Sequence, residues 1–261
     1  MKISNVNLVY FSAAYTTKSV IKSIAEVFEN DGIEYDITQS VPERDIVMEM
    51  NDLLIVGVPV YAGRVPANAL DGLGRFKGRE TPAIIVCVYG NRDYDDALTE
   101  LRDIVRDNGF KVISAGAFIA RHSIFPEVGH GRPDGEDMLV IRDFSEKSRE
   151  LLKQLTEVSS LPDVVIKGNM PYRVPGSIPL KPGGNKKCNK CGTCVKLCPA
   201  GAISADSPRK TDKNKCFSCG RCIVVCPQNA RQFGGMLYRA ANNRFIKAYS
   251  LRKEPEVVFC K

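Results

Sequence analysis

The residues best able to do chemistry are eight cysteines in two runs of one spacing, Cys188-x2-Cys191-x2-Cys194-x3-Cys198-Pro199 and Cys216-x2-Cys219-x2-Cys222-x3-Cys226-Pro227. This is the bacterial spacing for iron–sulfur clusters, in which three close cysteines hold one cluster and the fourth, before proline, ligates the other. A tight loop can wrap only three irons, and the cysteine before proline begins a segment directed across the repeat. The spacing therefore predicts two [4Fe–4S] clusters, one on Cys188, Cys191, Cys194 and Cys226, the other on Cys216, Cys219, Cys222 and Cys198. Zinc sites also use Cys-x2-Cys pairs, but a tetrahedral ion has no use for four cysteines in such a run, twice over. Disulfides suit an oxidising compartment, whereas Met1-Lys2-Ile3-Ser4-Asn5 turns polar before a signal-peptide core could form. The expected location is the cytoplasm. Of the two remaining cysteines, Cys87 lies in an apolar run and reads as a small buried hydrophobe, and Cys260 as an ordinary thiol.

A second set of candidate residues stands in three loops of the first half. Ser12-Ala13-Ala14-Tyr15-Thr16-Thr17 offers hydroxyls and a run of backbone N–H groups at the start of a helical pattern, a ready place for a phosphate. Pro59-Val60-Tyr61-Ala62-Gly63-Arg64-Val65-Pro66 sets an aromatic ring and a glycine at the mouth of an apolar run, and Tyr89-Gly90-Asn91-Arg92-Asp93-Tyr94-Asp95-Asp96 does the same after the next. Phosphate donors in one loop and rings with flexible backbone in two others suit a flat ring carrying a phosphate tail. His122 and His130 have no second ligand at a helpful spacing and read as structural or surface residues.

The elements that must hold these loops follow from hydrophobic periodicity. Apolar runs at 6–11, 53–58, 83–88 and 112–119 read as strands, those at 53–58 and 83–88 apolar on both faces as covered parallel strands are, and Glu34 to Thr38 reads as a short second strand. Helical spacing joins Val20, Ile24, Val27 and Phe28, then Ala97, Leu98, Leu101, Ile104 and Val105 ahead of Asn108-Gly109, and finally residues 138–155. Five strands alternating with helices predict an α/β, doubly wound five-stranded parallel sheet whose ligand sits at the carboxyl ends of the strands. A small α+β iron–sulfur domain follows it. No G-x-x-x-x-G-K-[ST] occurs, Gly72-x-Gly74 and Gly129-x-Gly131 lack the third glycine of a dinucleotide site, and Ser12 and Val60 stand where a phosphoacceptor domain needs acids.

The 261 residues divide near position 160. Residues 1–160 hold 18 Lys and Arg against 25 Asp and Glu, a net −7, while residues 161–261 hold 19 against 5, a net +14. Residues 161–187, rich in proline and glycine, read as a linker or strap, and residues 236–261 are apolar enough to pack back onto the rest. The longest apolar stretch, 53–62, is broken by Gly57 and Pro59 and is far short of the ~20 residues of a bilayer helix. No nucleic-acid motif accompanies the basic charge.

Through Ser-x-x-x-Thr-Thr-Lys, Val-Pro-Val-Tyr-Ala-Gly-Arg-Val-Pro, Val-Tyr-Gly-Asn-Arg-Asp-Tyr-Asp-Asp-Ala-Leu, residues 118–123 and Gly131-Arg132-Pro133-Asp134, the first 155 residues resemble the flavodoxins. More narrowly, with the cysteine runs, the chain resembles the flavodoxin–ferredoxin fusion proteins of anaerobic microbes. The resemblance implies a flavodoxin-like domain over 1–160 and a ferredoxin domain over 188–235. It implies FMN with its phosphate on Ser12, Thr16 and Thr17, its ring system between the loops of Tyr61 and of 89–94, and its N5–H against a backbone carbonyl near Gly63. The cofactor-binding set it implies is Ser12, Ala13, Ala14, Tyr15, Thr16, Thr17, Val60, Tyr61, Ala62, Gly63, Tyr89, Gly90, Asn91, Arg92, Tyr94 and Asp95. The chain departs from the family at Ala14 and Tyr15, where Thr-Gly is usual, losing a hydroxyl and placing a bulky residue at a position that favours positive φ.

Clusters move single electrons and a flavin holds one or two, so the expected function is an electron relay between two [4Fe–4S] clusters and FMN. The alternatives are a flavin-dependent reductase of an organic substrate fed by the clusters, and a ferredoxin carried by a flavin-free docking domain. No acid–base pair suggests itself, and no catalytic residue is nominated. Two clusters of about 2− each would leave the second half basic. Its charge is read three ways: it meets the acidic first half, it docks a redox partner protein with an acidic face through Lys186, Lys187, Lys190, Arg209, Lys210, Lys213 and Lys215, or it is a solvated face with no partner.

Overall fold

The apolar runs become a sheet because each is too short for a helix and is followed by a segment with one apolar face that can cover it. The chain was analysed as a computed structural model that describes residues 1–28, 32–158, 160–176 and 178–260. In chain order the first half comprises β1 (Asn5–Tyr10), α1 (Thr16–Ala25), β2 (Ile33–Asp36), β3 (Ile46–Met48), β4 (Asp52–Pro59), α2 (Ala67–Gly74), β5 (Phe76–Gly78), β6 (Thr81–Tyr89), α3 (Ala97–Asp107), β7 (Phe110–Ile119) and α4 (Gly135–Gln154). The second half adds β8 (Gly183–Gly184), α5 (Thr193–Lys196), α6 (Arg221–Val224), β9 (Arg231–Gln232), α7 (Met236–Tyr249) and β10 (Glu256–Phe259).

The main sheet runs β2-β1-β4-β6-β7-β10. Its first five strands are parallel, in the order second-first-third-fourth-fifth of flavodoxin-like sheets, and the order reverses beside β1, where ligands of such folds bind. All nine residues of β6 are buried, as a central strand covered on both faces must be. Helices α1 and α4 share one face of the sheet, and α2 and α3 lie on the other. Gly57 lets α1 approach closely, since a Cβ there would stand 2.7 Å from Ile21 Cδ1 and 3.0 Å from Thr17 Cγ2. That approach sets the first turn of α1 against the end of β4.

The sixth strand is not among the five expected from periodicity. β10, from the far end of the chain, pairs antiparallel with β7, Val257 opposite Gly116 and Phe259 opposite Ser114. Phe259 meets Phe144 of α4 at 5.6 Å. Two further differences are local: α2 follows Pro66, and β3 and β5 form a separate two-stranded parallel sheet. Among the described residues no helix is long and apolar enough to cross a membrane.

Residues 160–176 run as an extended strap over the start of α3. Asp96, fully buried, accepts from the backbone N–H groups of Asn169 (2.8 Å) and Arg173 (2.7 Å) and from Asn169 Nδ2 (3.0 Å). Burial alone would raise its carboxyl, but these donors hold it below the ordinary carboxylate range. Tyr172 donates to Asp103, and Arg64 lies over the Tyr172 ring at 4.8 Å while donating to the Arg173 carbonyl at 2.7 Å. Removing the Asp96 carboxylate leaves three donors without their acceptor. Asp96→Ala is expected to lower the unfolding free energy by about 3 kcal/mol in urea denaturation and to make the strap near Arg173 the first site of proteolytic cleavage.

Candidate functional site

The two cysteine runs share one backbone conformation. Lys190, Gly192 and Gly201 of the first have φ of 60°, 81° and 55°, and Ser218, Gly220 and Asn229 of the second have 63°, 79° and 46°. Alternating left-handed residues turn successive N–H groups inward, the arrangement that holds anionic groups. Donors reach the sulfurs in the same pattern: Ala202 N–H to Cys198 Sγ at 3.4 Å, Ala230 N–H to Cys226 Sγ at 3.2 Å and Ser218 N–H to Cys216 Sγ at 3.4 Å.

The runs bring the thiols together in two sets. Cys188, Cys191, Cys194 and Cys226 line one small cavity, and Cys194 lies in the field of Cys226 and Cys188. Cys219 and Cys222 lie in the field of Cys216 and Cys198. Burial pushes Cys219 up to about 12 and Cys222 up to about 11, whereas the Thr193 hydroxyl draws the exposed Cys191 down. Arg231 stands between the sets. It is buried, donates to the carbonyls of Pro208 (2.6 Å) and Pro182 (2.9 Å), and its charge opposes the rise at both Cys194 and Cys222. Among the described residues no group of three or more His, Cys, Asp and Glu side chains could hold a single metal ion.

The second cysteine loop sits on the carboxyl end of the sheet. Phe217 packs between Phe11, which follows β1, and Tyr61, which follows β4, with ring centroids 6.3 and 5.9 Å away. Beside it is a cavity of about 100 Å³, lined by Ala13, Ala14, Thr16 and Thr17 of the first loop, Val60, Tyr61 and Ala62 of the second, and Tyr89 and Gly90 of the third. Phe217 and Ser218 close it from the second half. It adjoins a groove of about 370 Å³ that shares Tyr89, Gly90 and His122 and adds Gly63 and Arg92.

In the first loop the Ser12 hydroxyl accepts from the Lys18 N–H at 3.0 Å, and the Ser12 N–H donates to Thr38 Oγ1 at 2.8 Å. The backbone N–H groups of Ala13, Ala14, Thr16 and Thr17 find no acceptor among the described residues. Tyr15 takes the left-handed conformation, φ 67°, that its position favours in a glycine. Its ring lies outside the cavity, 4.3 Å beneath the guanidinium of Arg221.

Several residues of the predicted set are committed elsewhere. Asn91 is a clamp for the tail: its Nδ2 donates to the carbonyls of Tyr249 and Leu251, both at 2.8 Å, and its Oδ1 accepts from the Lys253 N–H at 3.1 Å. Tyr94 donates to Glu256 of β10 at 2.7 Å, and Asp95 pairs with Arg92 and Arg173. The Gly63 carbonyl is taken by the Asp96 N–H at 3.1 Å, leaving that of Ala62, itself at φ 53°, as the carbonyl beside it. A Cβ on Gly63 would meet Asp95 Oδ2 at 2.4 Å.

His122 belongs with the site, although its sequence context marks it as structural. It lines both the cavity and the groove, its Nδ1 accepts the N–H groups of Ile124 and Phe125 at 3.1 Å each, and its ring meets Phe245 at 4.7 Å. With Nδ1 so engaged, the neutral ring carries its proton on Nε2. Two backbone donors two and three residues along are a turn signature that sequence does not display.

Residues 187–231 match the family described as the 4Fe-4S dicluster domain. Together with the strand order of the sheet, this fits a flavodoxin–ferredoxin fusion. Comparison with curated proteins finds no match. Among solved structures, a flavodoxin of Streptococcus pneumonia TIGR4 is 15% identical and covers 58% of this chain and 100% of its own, with a TM-score of 0.41. A Fusobacterium nucleatum flavodoxin bound to flavin mononucleotide is 15% identical over 56% of this chain and 97% of its own, with a TM-score of 0.41. An apo NADH:FMN oxidoreductase is 14% identical over 60% of this chain and 92% of its own, with a TM-score of 0.43.

Burial, followed by the Arg92 charge, pushes the His122 imidazole down to about 4. A folded value below the unfolded one means that the unfolded chain takes up the proton first, so this contribution to stability is present above about 6.5 and is lost as pH falls toward 4. Between pH 7 and pH 5 the unfolding free energy is expected to fall about 2 kcal/mol further in the native protein than in His122→Asn, measured by urea denaturation at both pH values.

Proposed function

We propose that the chain is an electron-transfer protein in which two [4Fe–4S] clusters and one FMN form a relay. The observation that carries this reading is Phe217. It follows Cys216, precedes Cys219 by two positions and is itself a wall of the cavity. A loop that would hold a cluster and that also walls the cavity would set two redox centres beside each other.

The donor set suits the clusters. In this reading Cys188, Cys191, Cys194 and Cys226 hold one, Cys216, Cys219, Cys222 and Cys198 the other, and the N–H donors to Cys198, Cys216 and Cys226 temper the thiolate charge. The cavity suits FMN as well. Unclaimed N–H groups at the start of α1 could serve a phosphate, Tyr61 and Tyr89 offer ring surfaces, and the Ala62 carbonyl and the Nε2 side of His122 offer an acceptor and a donor. Bound there, FMN supplies interconversion of one- and two-electron chemistry. The lysines and arginines at 186, 187, 190, 209, 210, 213 and 215 are exposed before the two cysteine runs, which supports docking of an acidic redox partner there. The groove of about 370 Å³ supports a second reading, reduction of a small organic substrate beside the ring.

Protein purified without oxygen is expected to carry about eight irons, eight acid-labile sulfides and one FMN per chain. Phe217→Ala should leave the iron count unchanged and slow electron transfer from reduced clusters to flavin, followed by stopped-flow absorbance. Eight irons with no flavin after reconstitution with FMN would reduce the reading to a ferredoxin on a flavin-free docking domain.

A further inference from the structure

The two cysteine runs keep one spacing and one backbone course, and five positions past the last cysteine the first has Ile203 where the second has Arg231. Ile203 is buried and packs with Cys194 and Cys222 in one apolar cluster, the ordinary occupant of such a place. Arg231 is just as buried, at 2% exposed, and every acceptor it reaches is neutral: the carbonyls of Pro208 (2.6 Å) and Pro182 (2.9 Å) and the Thr211 hydroxyl. Arg64 pairs with Glu100 and Arg132 with Asp137, whereas no Asp or Glu pairs with Arg231 among the described residues. A buried guanidinium without a counter-charge is costly, and packing alone does not require it.

What surrounds this cation is sulfur. Arg231 lines the small cavity of Cys188, Cys191, Cys194 and Cys226, and its charge acts on Cys222 of the other set as it does on Cys194. The rigid fork of the guanidinium, held by three acceptors from two other segments of the chain, keeps the charge in that position. Loaded clusters bring the negative charge that the chain itself does not supply, about 2− each and about 3− once an electron is added. A fixed cation beside both favours the more negative, reduced form of each. Because it is buried, it acts through a low dielectric that salt screens poorly. Burial of Cys194 and Cys222 works the other way, since a dry site disfavours added charge.

On the two-cluster reading, and independently of the flavin, we propose that Arg231 is the shared counter-charge of both clusters and holds both reduction potentials above the values that the same sites would have without it. One side chain thereby sets the level of two centres together, and the second half of the repeat differs from the first at the single position where a cation can reach both sets.

The test uses the full chain, loaded without oxygen, counted for iron and sulfide, and titrated with dithionite while the reduced clusters are followed by electron paramagnetic resonance. Arg231→Gln is expected to make reduction of each cluster about tenfold less favourable, about 59 mV lower for a one-electron couple, at native iron content. Arg231→Lys keeps the charge and should stay within about threefold of native. Thr211→Val, which removes an acceptor but no charge, should move neither potential. The gap between native and Arg231→Gln should persist in about 1 M salt, whereas any gap produced by the exposed Lys187→Gln should vanish there. Unchanged potentials in Arg231→Gln, or an equal fall in Arg231→Lys, overturns the counter-charge and leaves a fastener of the backbone at 182 and 208. A fall confined to one cluster overturns the sharing. Iron lost from Arg231→Gln but not from Arg231→Lys supports the counter-charge, since both variants lose the guanidinium fork and only one loses the charge; iron lost from both overturns it. About four irons in the native protein would remove the two-cluster reading itself, an outcome the iron count gives before any potential is measured.

Discussion

The seating of the second cysteine loop on the carboxyl end of the sheet is the contact on which the rest of the site depends. Phe217 between Phe11 and Tyr61 adds a wall to the crevice between strand ends, and Arg221 on the carbonyls of Ser12 and Ala13 ties the same cysteine loop to the sheet. Without that loop the three loops after β1, β4 and β6 would face water, as loops at such a switch point ordinarily do. With it, the walls of one cavity come from both halves of the chain.

The opposite charges of the two halves are used at their margins rather than at this central contact. The ion pairs that join them come from the strap and the tail: Arg173 with Asp95, Lys167 with Asp93, and Arg252 with Asp134 and Glu136. The central contact is instead aromatic, plus a guanidinium on carbonyl oxygens. That division is physically sensible, since exposed pairs steer and register surfaces at little net energy whereas aromatic burial supplies most of the stabilisation. The side chains of Lys186, Lys187, Lys190, Lys210, Lys213 and Lys215 stay exposed, while the first cysteine run meets the first half through the Lys196 carbonyl, which accepts from Gln39 Nε2 at 3.0 Å.

Much of this was legible in the residues. The repeat of Cys-x2-Cys-x2-Cys-x3-Cys-Pro carries its meaning locally, because a loop closes over a cluster within a dozen residues, and the left-handed positions at 190 and 192 recur at 218 and 220. Four of the five parallel strands were legible because both faces are covered and their runs are mostly apolar, whereas β2 is a largely exposed edge strand. What could not be read depends on distant partners. Asn91, Tyr94 and Asp95 look like ligands for a bound molecule because they are polar groups in a loop at a strand end, yet their partners are Leu251, Glu256 and Arg173, far along the chain. β10 escaped for a related reason: four residues give too short an alternation to mark a strand until β7 offers an edge. His122 reads in the sequence as structural, and its place on the cavity wall follows from a turn at Ile124 and Phe125 that fixes its tautomer.

The pairing of β10 with β7 has a consequence for how the protein is made. The cysteine-bearing segment lies in sequence between two parts of a single sheet, so the sheet cannot be completed until residues 256–259 have left the ribosome. Until then β7 presents an open, apolar edge of the kind that recruits stray strands, while the cysteines are already exposed to whatever delivers iron and sulfide. Closing the edge last ties completion of the first half to the arrival of the whole second half. The two halves thus mature as one unit, and a chain interrupted between them would carry an unfinished sheet rather than an independent module.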